Sequence, residues 1–330
     1  MIAGTSATTN AATNATTNAV VGRKAVAGPA VLIMCLVSLM WSAAEAASAL
    51  DIDGAAVAWS RLEFRAASRP NDLSVEVKLS DVSPEQVAAL LQSSPGDGPA
   101  PTPDATVLQM TSTIDVFVTG RAYQTDIWFY SAEASPLQRR RDKTGGDANR
   151  KIFQYLADGV RRLRLEPNGS AEAKLAPENW TRVKETFYPY GAARTGCSAL
   201  SDPNLLFFIA SAGTVEGGAE PLALCVFNKQ SIHRVQLSAD AGGTLEADYL
   251  EIKGTAQNQV RRKTAVRKVR VQAFPPEVDG VSPEPFEFFE LGGEIEIDLD
   301  AENGLPLRIA GEIGGLGRVD FLLSEVTWQP

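Results

Sequence analysis

The stretch Leu73-Ser-Val-Glu-Val-Lys-Leu79 alternates strictly between apolar and polar side chains. Because successive side chains of a strand point to opposite faces, this pattern predicts a strand with one buried and one solvated face. The alternation returns along most of the chain, which predicts a mainly β protein. The further strands that we predict are 107–119, 124–130, 151–156, 160–165, 222–228, 232–238, 245–253, 260–274, 293–299, 306–312 and 318–328.

Short polar pairs separate several of these runs. Asp158-Gly159 lies between two apolar segments, which is typical of a tight β-hairpin. Asp-Ala-Gly-Gly at 240–243 predicts another turn between two strands. The Pro- and Gly-rich segment 93–104 predicts a flexible loop.

Two segments break the period of two and predict short helices. The first begins at Ser83-Pro84, with an apolar stripe formed by Val87, Leu90 and Leu91. The second covers 204–212, with Asp202 as its N-cap and Gly213 at its end. Bulky apolar residues cover every face of this second helix, so we expect it to be buried against the concave face of a curved sheet.

These elements are most economically arranged as a single curved antiparallel sheet that forms an incomplete barrel with one or two short helices. A two-sheet β-sandwich is the alternative. Residues 47–330 contain no linker between two separate cores, so we predict one mainly β domain over this range.

The first 46 residues predict an export signal behind a low-complexity leader. Arg23 and Lys24 precede an apolar run at 25–41, and small residues follow in an Ala-Glu-Ala pattern. This layout predicts a cleaved signal peptide, a periplasmic location and no membrane span after cleavage. The run approaches the about 20 residues that span a bilayer, so an uncleaved anchor in the inner membrane is the alternative.

Export changes the interpretation of the cysteines. Cys35 lies inside the apolar run and leaves with the signal, so Cys197 and Cys225 are predicted to form a disulfide, with two buried free thiols as the alternative. The chain contains one histidine, which argues against a zinc site of Cys and His ligands. We therefore expect no metal and no cofactor.

The charge of the chain is acidic overall but basic in one region. A net charge of −9 argues against a nucleic acid partner. Between residues 139 and 164, however, nine residues are basic and only three are acidic. This cluster suits anionic lipid head groups, lipopolysaccharide phosphates or another envelope polymer. The alternative is a solvated hairpin whose arginines pair with acidic neighbours. The candidate binding residues are Arg139, Arg140, Arg141, Arg161 and Arg162.

Aromatic residues are the second class of binding candidates. Trp128 and Tyr155 on strands, with Phe207 and Phe208 on the buried helix, are the residues expected to line an apolar groove. Ordinary core packing is the alternative, because aromatic residues are also typical of half-buried strands.

The candidates for catalysis are weaker. His233 shares its strand parity with Val235 and Leu237, which predicts a buried, hydrogen-bonded histidine rather than an acid–base group. We find no nucleophile motif near it and predict a protein that is not an enzyme.

An acidic strand offers the remaining candidate chemistry. Glu294, Glu296, Asp298 and Asp300 share one strand face, where calcium binding or glycoside hydrolysis is conceivable. Because same-face neighbours lie nearly 7 Å apart, cross-strand ion pairs with Arg262, Lys268 and Arg270 are the preferred interpretation. A carboxylate-based hydrolase is the less favoured alternative.

Three stretches, 128–155, 202–206 and 305–317, resemble an uncharacterised family of exported proteobacterial proteins with a domain of unknown function of the DUF3108-like type. In that family a strand, a short arginine-bearing segment and a second strand recur. The resemblance implies a curved sheet like that of the LolA/LolB lipoprotein carriers, whose concave face shelters acyl chains. It implies no catalytic residues.

The sequence therefore predicts a non-enzymatic periplasmic protein of envelope biogenesis that binds a lipid or another amphiphile on the concave sheet face. Its expected partners are a lipid, lipopolysaccharide or an envelope protein. A structural or partner-binding module without a ligand is the alternative.

Overall fold

The computed structural model describes residues 50–67, 73–92, 106–116, 120–191, 200–276 and 284–330. The predicted signal peptide, the predicted loop 93–104 and Cys197 lie outside the described residues. The export signal and the disulfide between Cys197 and Cys225 therefore stay predictions. Within the described ranges, no helix is both long and apolar enough to cross a bilayer.

The described part of the chain forms one sheet of fifteen strands. The strands are β1 (Trp59–Ala66), β2 (Leu73–Asp81), β3 (Val107–Val116), β4 (Arg121–Tyr130), β5 (Ser135–Lys143), β6 (Asn149–Tyr155), β7 (Gly159–Glu166), β8 (Arg182–Pro189), β9 (Leu200–Ser201), β10 (Leu222–Asn228), β11 (Ser231–Lys253), β12 (Ala256–Phe274), β13 (Gly292–Asp300), β14 (Pro306–Ile313) and β15 (Gly317–Trp328). Two α-helices accompany them, α1 (Pro84–Gln92) and α2 (Leu205–Ser211).

The sheet order follows the chain in two antiparallel series. Strands β1 to β8 are neighbours in sequence order, as are β10 to β15, and the pairing of β1 with β15 joins the series. A parallel contact between Leu250–Ile252 of β11 and Glu325–Thr327 of β15 closes a ring through β11, β12, β13, β14 and β15. The rest of the sheet stays open, which confirms the predicted single curved sheet and incomplete barrel.

Of the two turns predicted between strands, the short one is confirmed and the longer one is wrong. Tyr155 lies opposite Val160, and Leu156 donates its backbone N–H to the carbonyl of Gly159, so Asp158-Gly159 is the tip of a hairpin. The turn predicted at 240–243 is wrong. There β11 continues through a bulge between Ala241 and Thr244, because both halves of the strand stay paired with β12.

Helix α1 begins where the sequence predicts. The Ser83 hydroxyl accepts the N–H of Gln86, and the Gln86 side chain accepts the N–H of Ser83, which forms a capping box. The helix packs through Val87 and Leu90 on a small cluster formed by Val107, Tyr130 and Leu137.

Helix α2 is buried over its whole length, as predicted. Phe207 packs against Trp59, Phe64 and Phe289 at ring-centroid distances of 5.5–6.0 Å, and Phe208 packs edge-on against Phe129 at 5.0 Å. The predicted N-cap is displaced: Asn204 is the cap residue, and the Asp202 carboxylate accepts the N–H of Asn204 in the preceding turn. The other oxygen of the Asp202 carboxylate accepts hydrogen bonds from Arg139 and Tyr155.

Candidate anion-binding site

Strand pairing places basic side chains of three neighbouring strands in one row. Arg141 on β5 lies opposite Lys151 on β6, which in turn lies opposite Arg164 on β7. Arg139 and Arg162 extend the row on the same face, because each lies two residues from one of its members along its own strand. We call these five residues, Arg139, Arg141, Lys151, Arg162 and Arg164, the cationic basin.

The alternate arginines of the same strands point to the opposite face and are paired there. Arg140 donates to Asp126 at 2.7 Å, Arg150 donates to Asp142 at 2.6 Å, and Arg161 donates to Glu185 at 2.5 Å. Trp128 lies on this face too, under the Arg140 guanidinium at 5.6 Å. Of the candidates from sequence, Arg140, Arg161 and Trp128 are thus separated from Arg139, Arg141 and Arg162.

The cationic basin lines a cavity of about 810 Å³. Three aromatic side chains, Tyr123, Phe153 and Phe289, contribute to its wall. The carboxylates in the lining are Asp147, Glu166, Glu284, Glu287 and Glu290. Phe207 and Phe208 are not among the lining residues, since both are fully buried in the core around α2.

One end of the cationic basin is locked by a buried ion pair. Arg139 donates to the Asp202 carboxylate at 2.6 Å, and the Tyr155 hydroxyl donates to the same oxygen at 2.5 Å. The Arg139 guanidinium also stacks 4.1 Å from the centre of the Phe153 ring. Burial, together with the Asp202 charge, raises the pKa of Tyr155 well above its ordinary value, so the hydroxyl stays protonated and donates. The candidate Tyr155 therefore supports Arg139 from inside the core.

A turn of unusual composition supplies the counter-charge of Arg141. The turn spans Phe288–Leu291, and its two central residues, Phe289 and Glu290, both have positive φ angles of 48° and 61°. Such angles favour Asn and Gly, so this backbone is strained. The Glu290 carboxylate accepts from Arg141 at 2.5 Å, and the Asn204 side chain accepts the N–H of Phe289.

Lys151 and Arg162 lack such a partner. Among the described residues, no carboxylate oxygen lies within 4.0 Å of either side-chain cation. Arg162 donates to the Thr186 hydroxyl at 3.5 Å and stacks 5.1 Å from the Tyr188 ring centre. Burial, reinforced by Arg141, Arg164, Arg162 and Arg139, lowers the pKa of Lys151 to about 8.

The arginine side chains of the cationic basin are also incompletely bonded. The Nε atoms of Arg139, Arg141, Arg162 and Arg164 are buried without a hydrogen-bond partner in the described residues. Buried donors without partners are costly, and here they accompany several like charges in one place. Such an arrangement favours the binding of an anion, which offsets the mutual repulsion of the cations.

The remaining chemical candidates have structural roles. His233 is buried beside Phe286, and burial together with the Lys229 charge lowers its pKa, which keeps the ring neutral at pH 7. Arg262 pairs with Asp300, and Lys268 pairs with Glu296, as predicted, whereas Arg270 pairs with Asp240 instead. No cluster of ligands suited to a metal ion is present among the described residues.

Sequence reasoning included Lys151 and Arg164 in the basic cluster but did not select them. Strand parity selects both, because they share a face with Arg141. Phe289 and Glu290 were missed, and no local signal identifies them. Glu290 is separated from Arg141 by 149 residues, so only the folded sheet brings them together.

The fold and the site define a class: a mainly β protein with one large curved sheet and a cationic cavity on one face. No family model matches the chain, and no curated protein matches it. Among solved structures, it is similar to a β-barrel-like protein of a domain of unknown function, DUF1849, from Brucella abortus. The alignment has 8% identity and a TM-score of 0.35, and it covers 83% of this chain and 98% of that chain.

Proposed function

We propose that this protein is a non-enzymatic, exported binding protein of the cell envelope that holds the anionic head group of an amphiphile in the cationic basin. The observation that carries the proposal is a pair of cations, Lys151 and Arg162, inside a cavity of about 810 Å³. Neither cation has a carboxylate partner in the part of the chain that the structure describes. The predicted export signal would direct the protein to the periplasm, where lipids and lipopolysaccharide are the abundant anions.

The head group is the part of the amphiphile that the cationic basin suits. The described interior around α2 is filled by Phe207, Phe208 and the rings that pack on them. The wall of the cavity is instead rich in charged side chains, with aromatic rings between them. Guanidinium groups bind phosphate and carboxylate oxygens with paired hydrogen bonds, which gives both affinity and orientation.

A second function is favoured by a different surface. Strand β8 exposes two apolar residues on one face, Val183, which is 57% exposed, and Phe187, which is 45% exposed. Leu175 is exposed in the segment before the strand. A contiguous exposed apolar patch is typical of a contact with another protein, and Val183 and Phe187 would contribute to one on this face of β8. The alternative function is therefore to bind an envelope protein through β8. This function requires no small ligand.

Native mass spectrometry of protein exported to the periplasm tests the proposal. We expect the wild-type protein to carry an anionic adduct, which Arg162→Gln loses and Arg161→Gln keeps. Arg161 is the matched control because it neighbours Arg162 on β7 but points to the opposite face. A wild-type protein without any anionic adduct, or an adduct of equal occupancy in both variants, would contradict the proposal.

Peptide mapping of the same sample tests export and the disulfide. We expect the mature chain to lack about the first 46 residues, since a signal peptide is removed on export. Without reduction, Cys197 and Cys225 should appear in one linked peptide. A full-length N-terminus, or alkylation of both cysteines without reduction, would contradict these expectations.

A further inference from the structure

The charges in the cationic basin are balanced except at one place. Arg139 pairs with Asp202, Arg141 with Glu290, and Arg164 with Glu166, a carboxylate that also contacts Arg182 at 3.4 Å. Lys151 and Arg162 have no carboxylate partner among the described residues. Two positive charges in the cationic basin thus remain to be neutralised by a ligand.

The two uncompensated cations lie close enough to share one ligand group. Lys151 is opposite Arg164, and Arg162 is two residues from Arg164 on the same face, so Lys151 and Arg162 are diagonal neighbours. Diagonal neighbours on adjacent strands have Cα atoms about 7–8 Å apart, which long side chains can bridge around one group. A phosphate monoester carries about −1.5 to −2 charges at pH 7 and three acceptor oxygens. A carboxylate or a phosphodiester carries one charge and leaves the other cation unpaired.

The carboxylates that line the cavity restrict the chemistry of the rest of the ligand. Glu284 and Glu287 line the cavity and are both paired with Lys229, and Asp147 lines it too, beside Lys143. These carboxylates repel a second anionic group but accept hydrogen bonds from hydroxyl groups. Phe289 and Tyr123 offer flat apolar surfaces in the same wall.

We infer that the cationic basin recognises a phosphate monoester on a hydroxylated ring, that is, a phosphorylated sugar, with the phosphate between Lys151 and Arg162. This inference rests on the proposed anion-binding function and specifies its ligand. The phosphorylated sugar comes either free or as the head group of a glycolipid. Glu290 stays on Arg141 and keeps that arginine from attracting a second anion.

Isothermal titration calorimetry with four soluble probes tests this specificity: glucose 6-phosphate, glucuronate, inorganic phosphate and glucose. We expect glucose 6-phosphate to bind at least about tenfold more tightly than glucuronate, a difference of about 1.4 kcal/mol. Inorganic phosphate should bind more weakly than glucose 6-phosphate because it lacks the ring, and glucose should not bind.

Two lysine variants locate the phosphate. Lys151→Met should weaken glucose 6-phosphate binding by about tenfold or more, since it removes one of the two uncompensated charges. Lys184→Met is the matched control, because Lys184 lies opposite Arg164 on β8 but is exposed and does not line the cavity. Equal losses in both variants would overturn the inference. Urea unfolding of each variant establishes that it is folded.

Vesicles distinguish the two sources of the ligand. Phosphatidylcholine vesicles that contain a monophosphorylated glycolipid are compared with vesicles that contain phosphatidylglycerol, a phosphodiester. Binding to the glycolipid vesicles identifies a head group, and binding to glucose 6-phosphate alone identifies a free sugar phosphate; both results support the inference. If glucuronate and phosphatidylglycerol bind as tightly as the monoesters and Arg162→Gln still weakens binding, the ligand class is overturned while anion binding stands. If Arg162→Gln leaves the affinity for every probe unchanged, both the anion-binding function and the ligand class are overturned.

Discussion

Arg161 and Arg162 are consecutive on β7, yet only Arg161 has a carboxylate partner within the described residues. Arg161 donates to Glu185 on the outer face, whereas Arg162 lines the cavity and stacks on Tyr188. Strand alternation thus divides a basic segment into a paired surface and a cationic basin. Arg161 therefore serves as a control for Arg162.

Anion binding should weaken as the pH rises above about 8, because the pKa of Lys151 is lowered to about 8. Deprotonation removes one of the two uncompensated charges. The other cations that face Lys151 are Arg139 and Arg141 on β5 and Arg162 and Arg164 on β7, and arginines keep their charge throughout this range. The pKa of Tyr123 is raised by burial, so this phenol remains neutral. Calorimetry across this pH range measures the effect.

The control for this pH dependence is Lys151→Arg, which keeps the charge at every pH of the experiment. We expect its affinity for glucose 6-phosphate to stay level while the wild-type affinity declines. A parallel decline in both proteins would show that another group titrates.

Replacing Glu290 should strengthen anion binding. Glu290→Gln removes the internal counter-charge of Arg141, so the cationic basin gains one uncompensated charge and the affinity should increase by up to about tenfold. Glu294→Gln is the control, since the Glu294 side chain is 92% exposed and lies outside the cavity. An unchanged or reduced affinity in Glu290→Gln would contradict the role assigned to this carboxylate.

Replacing Asp202 should destabilise the fold. Asp202→Asn leaves the buried Arg139 guanidinium without its counter-charge, and breaking a buried pair in this way costs about 3–5 kcal/mol. The free energy of unfolding in urea measures this cost. In comparison, Asp248→Asn disrupts an exposed pair with Arg261 and should cost less than about 1 kcal/mol. Similar losses in the free energy of unfolding for the two variants would argue against a buried ion pair between Arg139 and Asp202.

A methyl group at Gly159 should strain the β7–β8 pairing. A Cβ atom there would lie 2.5 Å from the carbonyl oxygen of Tyr188 and would also clash with the ring of Phe187. Gly159→Ala should lower the free energy of unfolding by about 1–3 kcal/mol. Gly314→Ala, where nothing lies within 4 Å of the added Cβ atom, should change it little. No loss in Gly159→Ala would contradict the close approach of these strands.

The sequence predicts the local elements well because their signals are local. Strand β10 has the same bounds as its prediction, 222–228, and the hairpin at Asp158-Gly159 and the buried helix α2 are confirmed. Strands β1, β5, β8 and β9 were not predicted. The arginine run of β5 obscures its alternation, and β8 is exposed along most of its length.

The long-range features could not be predicted from alternation. The contact of β11 with β15 joins residues more than 70 positions apart, and no local pattern specifies such a register. The candidate site shows the same division. Parity separates Arg161 from Arg162, but the counter-charge from Glu290 and the lock from Asp202 depend on tertiary contacts.

The affinity of Arg162→Gln and Arg161→Gln for inorganic phosphate, measured by calorimetry at one ionic strength, tests the central claim most directly. If the cationic basin is the binding site, Arg162→Gln weakens binding by about tenfold, while Arg161→Gln stays within about twofold of the wild type. An equal effect of the two substitutions, or a larger effect of Arg161→Gln, would contradict an anion-binding site on this face of the sheet.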